Sequence, residues 1–319
     1  MSGLVTIFGG SGFIGRYLVK RVAAAGYRVR VAVRDPEAAL FLKPMGAVGQ
    51  IELVAANVRD DASVARAVRG ADAVVSLVGI LEERGKQTFS AVHADGPGRI
   101  ARAAKAAGAS RLVLVSALGA DIAAKSRYAR TKAAGEGLVR GAFPNATIVR
   151  PSVVFGDEDG FLNRFGAVAK MAPVQLVFGG GEGPRFQPVY VGDVGEALFR
   201  ILQRPETAAQ TFELGGPDVL SWRALVQMSL RETGHRRAVL PLPWPLVSLM
   251  AAVGSILPLP KPLKITRDQV RSLRRDSVIA GYQRTLRDLG IAPTPIATLA
   301  PAILSRYRRN LDVPKINVL

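Results

Sequence analysis

The chain has 319 residues, and 49% of them are hydrophobic, so it can bury a large core in one domain or two closely joined domains. It contains no cysteine, which excludes a disulfide framework, a thiol nucleophile and a cysteine-based metal site. Its only two histidines, His93 and His235, are far apart and have no carboxylate cluster beside them. We therefore predict no metal site.

The formal net charge is +18, and the C-terminal end carries much of it. Residues 261–319, here called the basic tail, contain 12 lysines and arginines against 4 aspartates and glutamates. Such an excess favours an anionic lipid surface, an acidic protein or nucleic acid as a partner, or it serves only as solubilising surface charge. No RNP, zinc-finger or KH signature is present, so we expect no nucleic-acid partner.

A glycine-rich turn follows the first predicted strand, residues 4–8, and leads into a helix. The spacing is Gly9-x-x-Gly12-x-x-Gly15. In a strand–turn–helix context, such glycines allow a tight turn, a close approach of the backbone to a pyrophosphate, and close packing of helix on strand. We predict that the dinucleotide pyrophosphate lies on this helix N-terminus, in contact with Gly9, Gly10, Ser11, Gly12, Phe13, Ile14 and Gly15.

The second predicted strand, residues 28–33, ends directly before Arg34 and Asp35. An acidic residue at this point binds the ribose hydroxyl of NAD, whereas an arginine suits the 2′-phosphate of NADP. We predict NADPH, with Arg34 on the 2′-phosphate. In the alternative, Arg34 is a solvated charge and Asp35 binds the ribose.

Strands and helices alternate through the first half of the chain. Further strands are predicted at residues 51–55, 73–78, 111–116 and 146–150, with helices at 61–69, 87–107 and 127–141 between them. This alternation predicts an α/β fold with a doubly wound parallel sheet. We assign residues 1–155 to an NADP-binding Rossmann domain, whose sheet is completed by return elements at about 186–214. They include a strand at 189–191, a helix capped by Asp193 and a strand at 210–214.

The nucleotide is expected along the carboxyl ends of the parallel strands, where open α/β sheets bind ligands. The residues that follow the predicted strands are Asn57, Val58, Val78, Gly79, Ser116, Pro151, Val153 and Val154. We predict that they line the cofactor site.

Tyr128 and Lys132 are four residues apart on a predicted helix and so share one face. An ammonium near a phenol favours the phenolate and can also hold the nicotinamide ribose, so this pair is a candidate acid–base centre. The alternative is a chance pair on the surface.

These motifs resemble the short-chain dehydrogenase/reductase superfamily in its extended or atypical branch. Within it, the chain is similar to the nucleotide-binding accessory subunits of respiratory complex I (alpha-subcomplex subunit nine) and their bacterial relatives. The resemblance rests on the glycine turn and on residues 128–136, 150–156, 161–163, 187–193 and 265–270, so it covers nearly the whole chain.

The resemblance implies a tightly held NADPH and a structural role beside the quinone-reducing arm, with other complex I subunits of the peripheral arm and its membrane junction as partners. It does not imply turnover. Catalytic relatives place a serine or threonine about two residues after the serine that ends the fifth strand; here Leu118 occupies that position, and the hydroxyl that remains is that of Ser116. His93 stands where relatives have a supporting asparagine, and we expect it to be a buried helix histidine.

Residues 238–260 carry no charge, but five prolines divide them. Only residues 246–257 can form an uninterrupted helix, of about 18 Å, which is too short for a hydrocarbon core of about 30 Å. It is predicted either to pack on the nucleotide-binding domain or to lie at a membrane interface. In the second case, residues 244–264, with Trp244 at one end and Lys261 and Lys264 at the other, would contact anionic lipid, and so would the basic tail. We assign residues 156–185 and 215–319 to a smaller, mostly helical docking region.

Two functions follow. The first is a non-catalytic, NADPH-binding accessory subunit of membrane-bound NADH:ubiquinone oxidoreductase, with a structural, assembly or sensing role. The alternative is a soluble NADPH-dependent reductase or epimerase that uses Tyr128 and Lys132. No leader peptide or spanning helix is visible. We expect a peripheral protein on the cytoplasmic face of a bacterial inner membrane, or on the matrix side of a mitochondrion if the chain is processed.

Overall fold

Ten α-helices and thirteen strands are present in the computed structural model, which describes residues 3–254, 260 and 263–309. The strands are β1 (Leu4–Phe8), β2 (Arg28–Val33), β3 (Ile51–Ala55), β4 (Ala73–Ser76), β5 (Arg111–Val115), β6 (Thr147–Pro151), β7 (Val154–Phe155), β8 (Val174–Phe178), β9 (Arg185–Phe186), β10 (Val189–Tyr190), β11 (Thr211–Leu214), β12 (Leu220–Ser221) and β13 (Ala238–Leu242). The α-helices are α1 (Phe13–Ala24), α2 (Asp61–Val68), α3 (Gly96–Ala106), α4 (Arg127–Ala142), α5 (Leu162–Met171), α6 (Val191–Gln203), α7 (Trp222–Thr233), α8 (Trp244–Val253), α9 (Arg267–Leu273) and α10 (Ile296–Leu304).

Seven strands form one parallel sheet in the order β11-β6-β5-β4-β1-β2-β3. The order reverses between β1 and β4, which is the switch point where dinucleotides bind in such sheets. Helices α1 and α6 pack against one face, and α2, α3 and α4 against the other. Because both faces are covered, the central strands are mostly apolar and are buried along their whole length, as the burial of every residue of β1 illustrates. The predicted doubly wound α/β fold is confirmed.

The helix predicted at 87–107 begins later than predicted, and its first turn is π-helical. Ser90–Asp95 forms a π-helical turn, and α3 follows it. Pro97 has no backbone N–H to donate to the carbonyl of His93, which removes one bond of the α-helical ladder. Gly135 of α4 packs directly on that carbonyl, where a Cβ would overlap it. The wide turn therefore lets α4 pack closely beside the chain that carries His93.

The predicted return elements divide between two sheets. Strand β11 extends the large sheet beside β6, whereas Val189–Tyr190 pairs with β7 in a separate two-stranded sheet. The prediction that Asp193 caps α6 is wrong, because that helix already begins at Val191. Its carboxylate instead accepts hydrogen bonds from the backbone N–H and hydroxyl of Thr294.

The C-terminal region contains two smaller apolar clusters. One joins α5, α7 and α10, and the other joins α8 and α9 to the end of β8. The helix predicted at 246–257 begins two residues earlier, at Trp244, and is described to Val253; residues 255–257 and Lys261 lie outside the described residues. Among the described helices, none is long and apolar enough to cross a membrane.

Two motif residues of the sequence meet in a buried ion pair beneath the site. Arg150 donates two hydrogen bonds to the Glu136 carboxylate, at 2.9 and 2.6 Å, and lies 3.8 Å from Glu213. The bond to Glu136 raises the pKa of Arg150. Because removing one partner of such a pair leaves an uncompensated buried charge, the pair fixes α4 against β6 and β11.

Candidate nucleotide-binding site

The glycine turn brings the start of α1 very close to the end of β1. Gly9 has a φ of +79°, a left-handed conformation that favours glycine, and its carbonyl accepts the Gly12 N–H at 3.0 Å. A Cβ on Gly15 would overlap the Gly9 carbonyl and lie 2.6 Å from Gly10 Cα. A Cβ on Gly10 would lie 2.6 Å from Val31 Cγ1 of β2. Gly10 and Gly15 therefore have no room for a side chain, and Gly9 has the backbone conformation that favours glycine.

The N-terminus of α1 has the features of an anion site. Gly12 is its N-cap, with extended backbone, and no side chain caps the helix. The first turn carries no acidic residue. Exposed N–H groups and the positive end of the helix dipole are therefore left for an anion, and the surface at Ser11 and Gly12 is accessible. This arrangement fits the pyrophosphate of a dinucleotide.

Arg34 lies at the end of β2, beside the glycine turn in the sheet order. Its side chain is exposed, and it makes no ion pair with any residue that the structure describes. Asp35, the alternative ribose ligand, already accepts a hydrogen bond from the Ala38 N–H at 3.2 Å. The guanidinium of Arg34 is thus open to a ligand, whereas the Asp35 carboxylate is partly engaged in the turn.

Arg16 is a basic residue near this site that the sequence analysis did not single out. It follows the glycine turn by one residue, and its guanidinium lies 5.0 Å from the centre of the Phe41 ring. Arg16 Nη1 donates a hydrogen bond to Glu158 at 2.9 Å, while the buried Nε of Arg16 has no partner among the described residues. Because Phe41 belongs to the 3-10 helix Glu37–Met45 after Arg34, a cation–π contact joins the turn to the end of β2. Only this contact, and no spacing in the sequence, reveals it.

The other predicted cofactor residues follow β3, β4, β5 and β6, which end at the same edge of the sheet. Gly79 is exposed, and a Cβ there would lie 3.4 Å from Lys132 Nζ. Ser116 is buried, and its hydroxyl has no partner in the described part of the chain. Asn57 is used locally, because its side chain accepts the Arg59 N–H at 3.1 Å. The predicted cofactor residues at this edge of the sheet are Asn57, Val58, Val78, Gly79, Ser116, Pro151, Val153 and Val154.

Tyr128 and Lys132 lie on the first two turns of α4, as predicted. Lys132 Nζ lies 6.0 Å from the centre of the Tyr128 ring and donates to the Val115 carbonyl at 3.3 Å. Burial lowers the pKa of Lys132 to about 8 and raises that of Tyr128 to about 12. Burial thus opposes the predicted stabilisation of the phenolate by the ammonium, and it keeps the phenol protonated near neutral pH.

His93 packs behind Tyr128. Its ring stacks on Phe89 with centroids 5.3 Å apart and meets the Tyr128 ring edge-on at 5.0 Å. Its Nε2 accepts the Ile80 N–H at 3.0 Å, so the proton of the neutral ring sits on Nδ1, 3.3 Å from Thr131 Oγ1. Burial and the nearby Lys132 charge lower its pKa to about 3. His93 is thus a neutral histidine that supports the ring of Tyr128 and the chain after β4.

Leu118 occupies the turn where catalytic relatives were expected to carry a hydroxyl. Its N–H donates to the Pro151 carbonyl at 3.0 Å, which fixes the loop after β5 to the end of β6. Ser116 supplies the nearest hydroxyl in sequence. The described residues contain no group of three histidine, cysteine, aspartate or glutamate side chains that could hold a metal ion.

Two known families match the regions that carry this geometry. The NAD(P)H-binding family matches residues 9–176, and the RmlD substrate binding domain family matches residues 120–253. The chain therefore carries an NAD(P)H-binding domain, and the expectation of a nicotinamide nucleotide is confirmed at that level.

Relatives cover nearly the whole chain. It is 35% identical over 311 residues to the NADH dehydrogenase (ubiquinone) 1 alpha subcomplex subunit 9, mitochondrial, of Mus musculus, a match that covers 97% of this chain and 81% of the relative. The chain belongs to the alpha subcomplex subunit 9 family. This member is also 34% identical over 314 residues to the NADH-ubiquinone oxidoreductase 40 kDa subunit, mitochondrial, of Neurospora crassa, with the same coverage. The resemblance seen in the sequence is confirmed.

This subunit 9 family member is also similar to enzymes. It is 31% identical over 243 residues to a ceramide reductase of Caulobacter vibrioides, covering 76% of this chain and 74% of that protein. Among solved structures, MoeE5 in complex with UDP-glucose and NAD superposes with a TM-score of 0.70 at 18% identity, covering 96% of this chain and 98% of that one. At that identity, the likeness shows the fold alone.

Gly15→Ala tests the close packing of the turn. The added Cβ overlaps the Gly9 carbonyl, so we expect α1 to move away and nucleotide affinity to fall at least about tenfold, the effect of about 1.4 kcal/mol. Gly137→Ala in α4 is the matched control, because its Cβ meets no atom within 4 Å. Fluorescence titration with NADPH and NADH measures the affinities. Equal affinities in the two variants would contradict the account.

His93→Gln tests the buried neutral histidine. The pKa of His93 is about 3 in the folded chain against 6.5 when unfolded, so its stabilising contribution is present above pH 6.5 and is lost as the pH falls toward 3. From pH 7 to pH 5, we expect the free energy of unfolding to fall by about 2 kcal/mol through this group. Urea unfolding at both pH values should show a smaller fall in His93→Gln than in the wild type. A wild-type fall in His93→Gln would refute the assignment.

Proposed function

We propose that the chain is an NADPH-binding accessory subunit of membrane-bound NADH:ubiquinone oxidoreductase, in which the nucleotide is a structural or sensing component near the quinone-reducing arm. The observation that carries the proposal is 35% identity to an alpha subcomplex subunit 9 over 97% of the chain, together with an intact nucleotide-binding turn. Its partners are other subunits of the peripheral arm and its membrane junction. Its location is peripheral, on the cytoplasmic face of a bacterial inner membrane or the matrix side of a mitochondrion.

The non-catalytic role is supported by the state of the groups around Tyr128. The pKa of this phenol is raised to about 12, His93 is neutral, and Leu118 stands where a hydroxyl was expected. A proton carrier works best when its pKa lies near the working pH, and the pKa values of Tyr128 and His93 lie far from neutral on opposite sides. Retained binding with weakened acid–base chemistry suits a nucleotide that stays in place.

Purification of the respiratory complex from the source membranes tests the proposal directly. We expect the chain to remain with NADH:ubiquinone oxidoreductase through mild detergent extraction and native sizing. Its recovery only as a free soluble protein would contradict the proposal.

NADPH rather than NADH is supported by the open guanidinium of Arg34, which lies at the end of β2 without an ion pair among the described residues. An arginine can pair with a phosphate through two parallel hydrogen bonds, which an unphosphorylated ribose does not offer. The turn, Arg34, Ser116 and Lys132 would hold the phosphates and the ribose groups of the nucleotide.

Arg34→Ala should weaken NADPH binding much more than NADH binding. Loss of one charge-assisted pair costs about 1.5–3 kcal/mol, or about 10- to 100-fold in affinity. Arg28→Ala, at the exposed opposite end of β2, is the control and should leave both affinities unchanged. Isothermal titration of both nucleotides measures the ratio, and an equal loss for both would exclude the 2′-phosphate role.

Contact with an anionic membrane surface is proposed for the face around α8. Leu246, Leu249 and Val253 are 43–60% exposed on this helix, while its Val247 and Ala251 are fully buried. The neighbouring α9 segment, residues 263–275, presents four exposed arginines: Arg267, Arg271, Arg274 and Arg275. Exposed leucines beside a basic face are typical of interfacial helices.

Leu249→Ser should reduce binding to vesicles. We expect wild-type protein to co-float with phosphatidylcholine vesicles that also contain phosphatidylglycerol, and to co-float less with phosphatidylcholine alone. The variant should lose much of this binding because it removes an exposed apolar anchor. Val219→Ser, which changes an exposed valine in a loop, is the control. Equal flotation of both variants would argue against the face.

A second candidate is an NADPH-dependent reductase or epimerase, supported by the retained Tyr128-x-x-x-Lys132 pair and by the similarity to a ceramide reductase. A bound nicotinamide would supply or accept the hydride, and Tyr128 would exchange the proton with a carbonyl or alcohol. Tyr128→Phe removes that proton while keeping the packing against His93. If every cellular role of the protein survives Tyr128→Phe, the reductase or epimerase function is excluded. If the role is lost while the complex still assembles, the non-catalytic accessory function is excluded.

A further inference from the structure

A carboxylate from the C-terminal region holds the N-terminus of the helix that carries Tyr128. Asp268 lies in the first turn of α9, 140 residues away in sequence. Its Oδ1 accepts the Arg127 N–H at 2.8 Å, and its Oδ2 accepts the Tyr128 N–H at 3.0 Å and the Ser126 hydroxyl at 2.8 Å. The negative charge thus sits on the positive end of α4, with three hydrogen bonds to it.

Two further contacts tie the α9 segment to the surroundings of Tyr128. The Ser272 hydroxyl donates to Ser126 Oγ at 2.9 Å, so a hydrogen-bond chain runs from Ser272 through Ser126 to Asp268. Lys264 pairs with Glu82 at 2.9 Å, and this interaction lowers the pKa of Glu82. Glu82 belongs to the loop that follows Gly79. The α9 segment therefore contacts both the start of α4 and the loop after Gly79.

The other side of α9 packs on the exposed apolar helix. Val270 of α9 is buried in one cluster with Val247 and Ala251 of α8. Arg274, directly after α9, lies 5.5 Å from the centre of the Trp244 ring and donates to Ser248 Oγ at 3.1 Å. A continuous set of contacts thus joins Tyr128 to α8 through Asp268, the body of α9 and Arg274.

We propose that α9 is a latch that couples nucleotide binding to the order of α8. The exposed apolar face of α8, formed by Leu246, Leu249 and Val253, is then held in place when the nucleotide is bound. The inference rests on the proposed nucleotide binding. Lys132 and Tyr128 lie on the nucleotide side of α4, while Asp268 holds the N-terminus of the same helix. A nucleotide that fixes α4 therefore also favours the latched position of α9. By reciprocity, the factor by which the nucleotide favours the latched position equals the factor by which the latched position raises nucleotide affinity, so breaking the latch weakens nucleotide binding.

Hydrogen exchange with and without NADPH tests the latch on the full chain. In the wild type, we expect NADPH to slow amide exchange about fivefold or more in the glycine turn, in residues 263–275 and in residues 244–254. In Asp268→Asn, which cannot accept both backbone N–H bonds, the turn should still be protected. Slowing in residues 244–254 should disappear, and the Kd for NADPH should rise about fivefold or more.

Asp288→Asn is the control, because that carboxylate bonds only Thr285 in its own turn among the described residues, and it should behave as the wild type. Ser272→Ala keeps the Asp268 bonds and decides the matter if Asp268→Asn does not fold; we expect partial loss of slowing in residues 244–254. Protection confined to the glycine turn in the wild type would overturn the latch and leave nucleotide binding intact. Absence of NADPH binding would overturn both the latch and the proposed function.

Discussion

The packing of Gly15 on Gly9 and Gly10 is the constraint on which the nucleotide site depends. It brings α1 so close to the end of β1 that its uncapped N-terminus opens at the sheet switch point. Parallel pairing with β2 then places Arg34 beside this turn, and pairing with β4 places Gly79 on its other side. Because a side chain at either close contact would separate helix and strand, the whole edge is fixed by three small residues.

Much of the Rossmann half could be read from the sequence because its signals are local. Strands β1, β2 and β3 have the predicted bounds, since each is a short segment rich in valine, isoleucine and other apolar residues and is followed within two residues by glycine or polar residues. The π-helical turn was missed because Pro97 removes one hydrogen bond without changing the helical spacing of apolar residues. Arg16 on Phe41 was missed because it depends on where the 3-10 helix folds back.

The parts that sequence could not give arise from contacts between distant segments. The bonds of Asp268 to α4 join residues 140 positions apart, and no spacing signals them. Likewise, the Tyr128 and Lys132 pattern identifies which side chains share a face, but it does not contain their burial. Burial decides their protonation here: it raises the pKa of the phenol and lowers that of the amine. The motif thus predicts position well and chemistry poorly.

These features together describe a chain that keeps the binding half of an oxidoreductase site, while in its acid–base half burial keeps the Tyr128 phenol and the His93 ring neutral. The most direct measurement is the nucleotide content of the chain within the respiratory complex isolated from its own membranes, before and after turnover with NADH and quinone. We expect one NADPH per chain, and we expect this content to be the same before and after turnover. A content of NAD, no nucleotide, or NADPH that is consumed during turnover would contradict it.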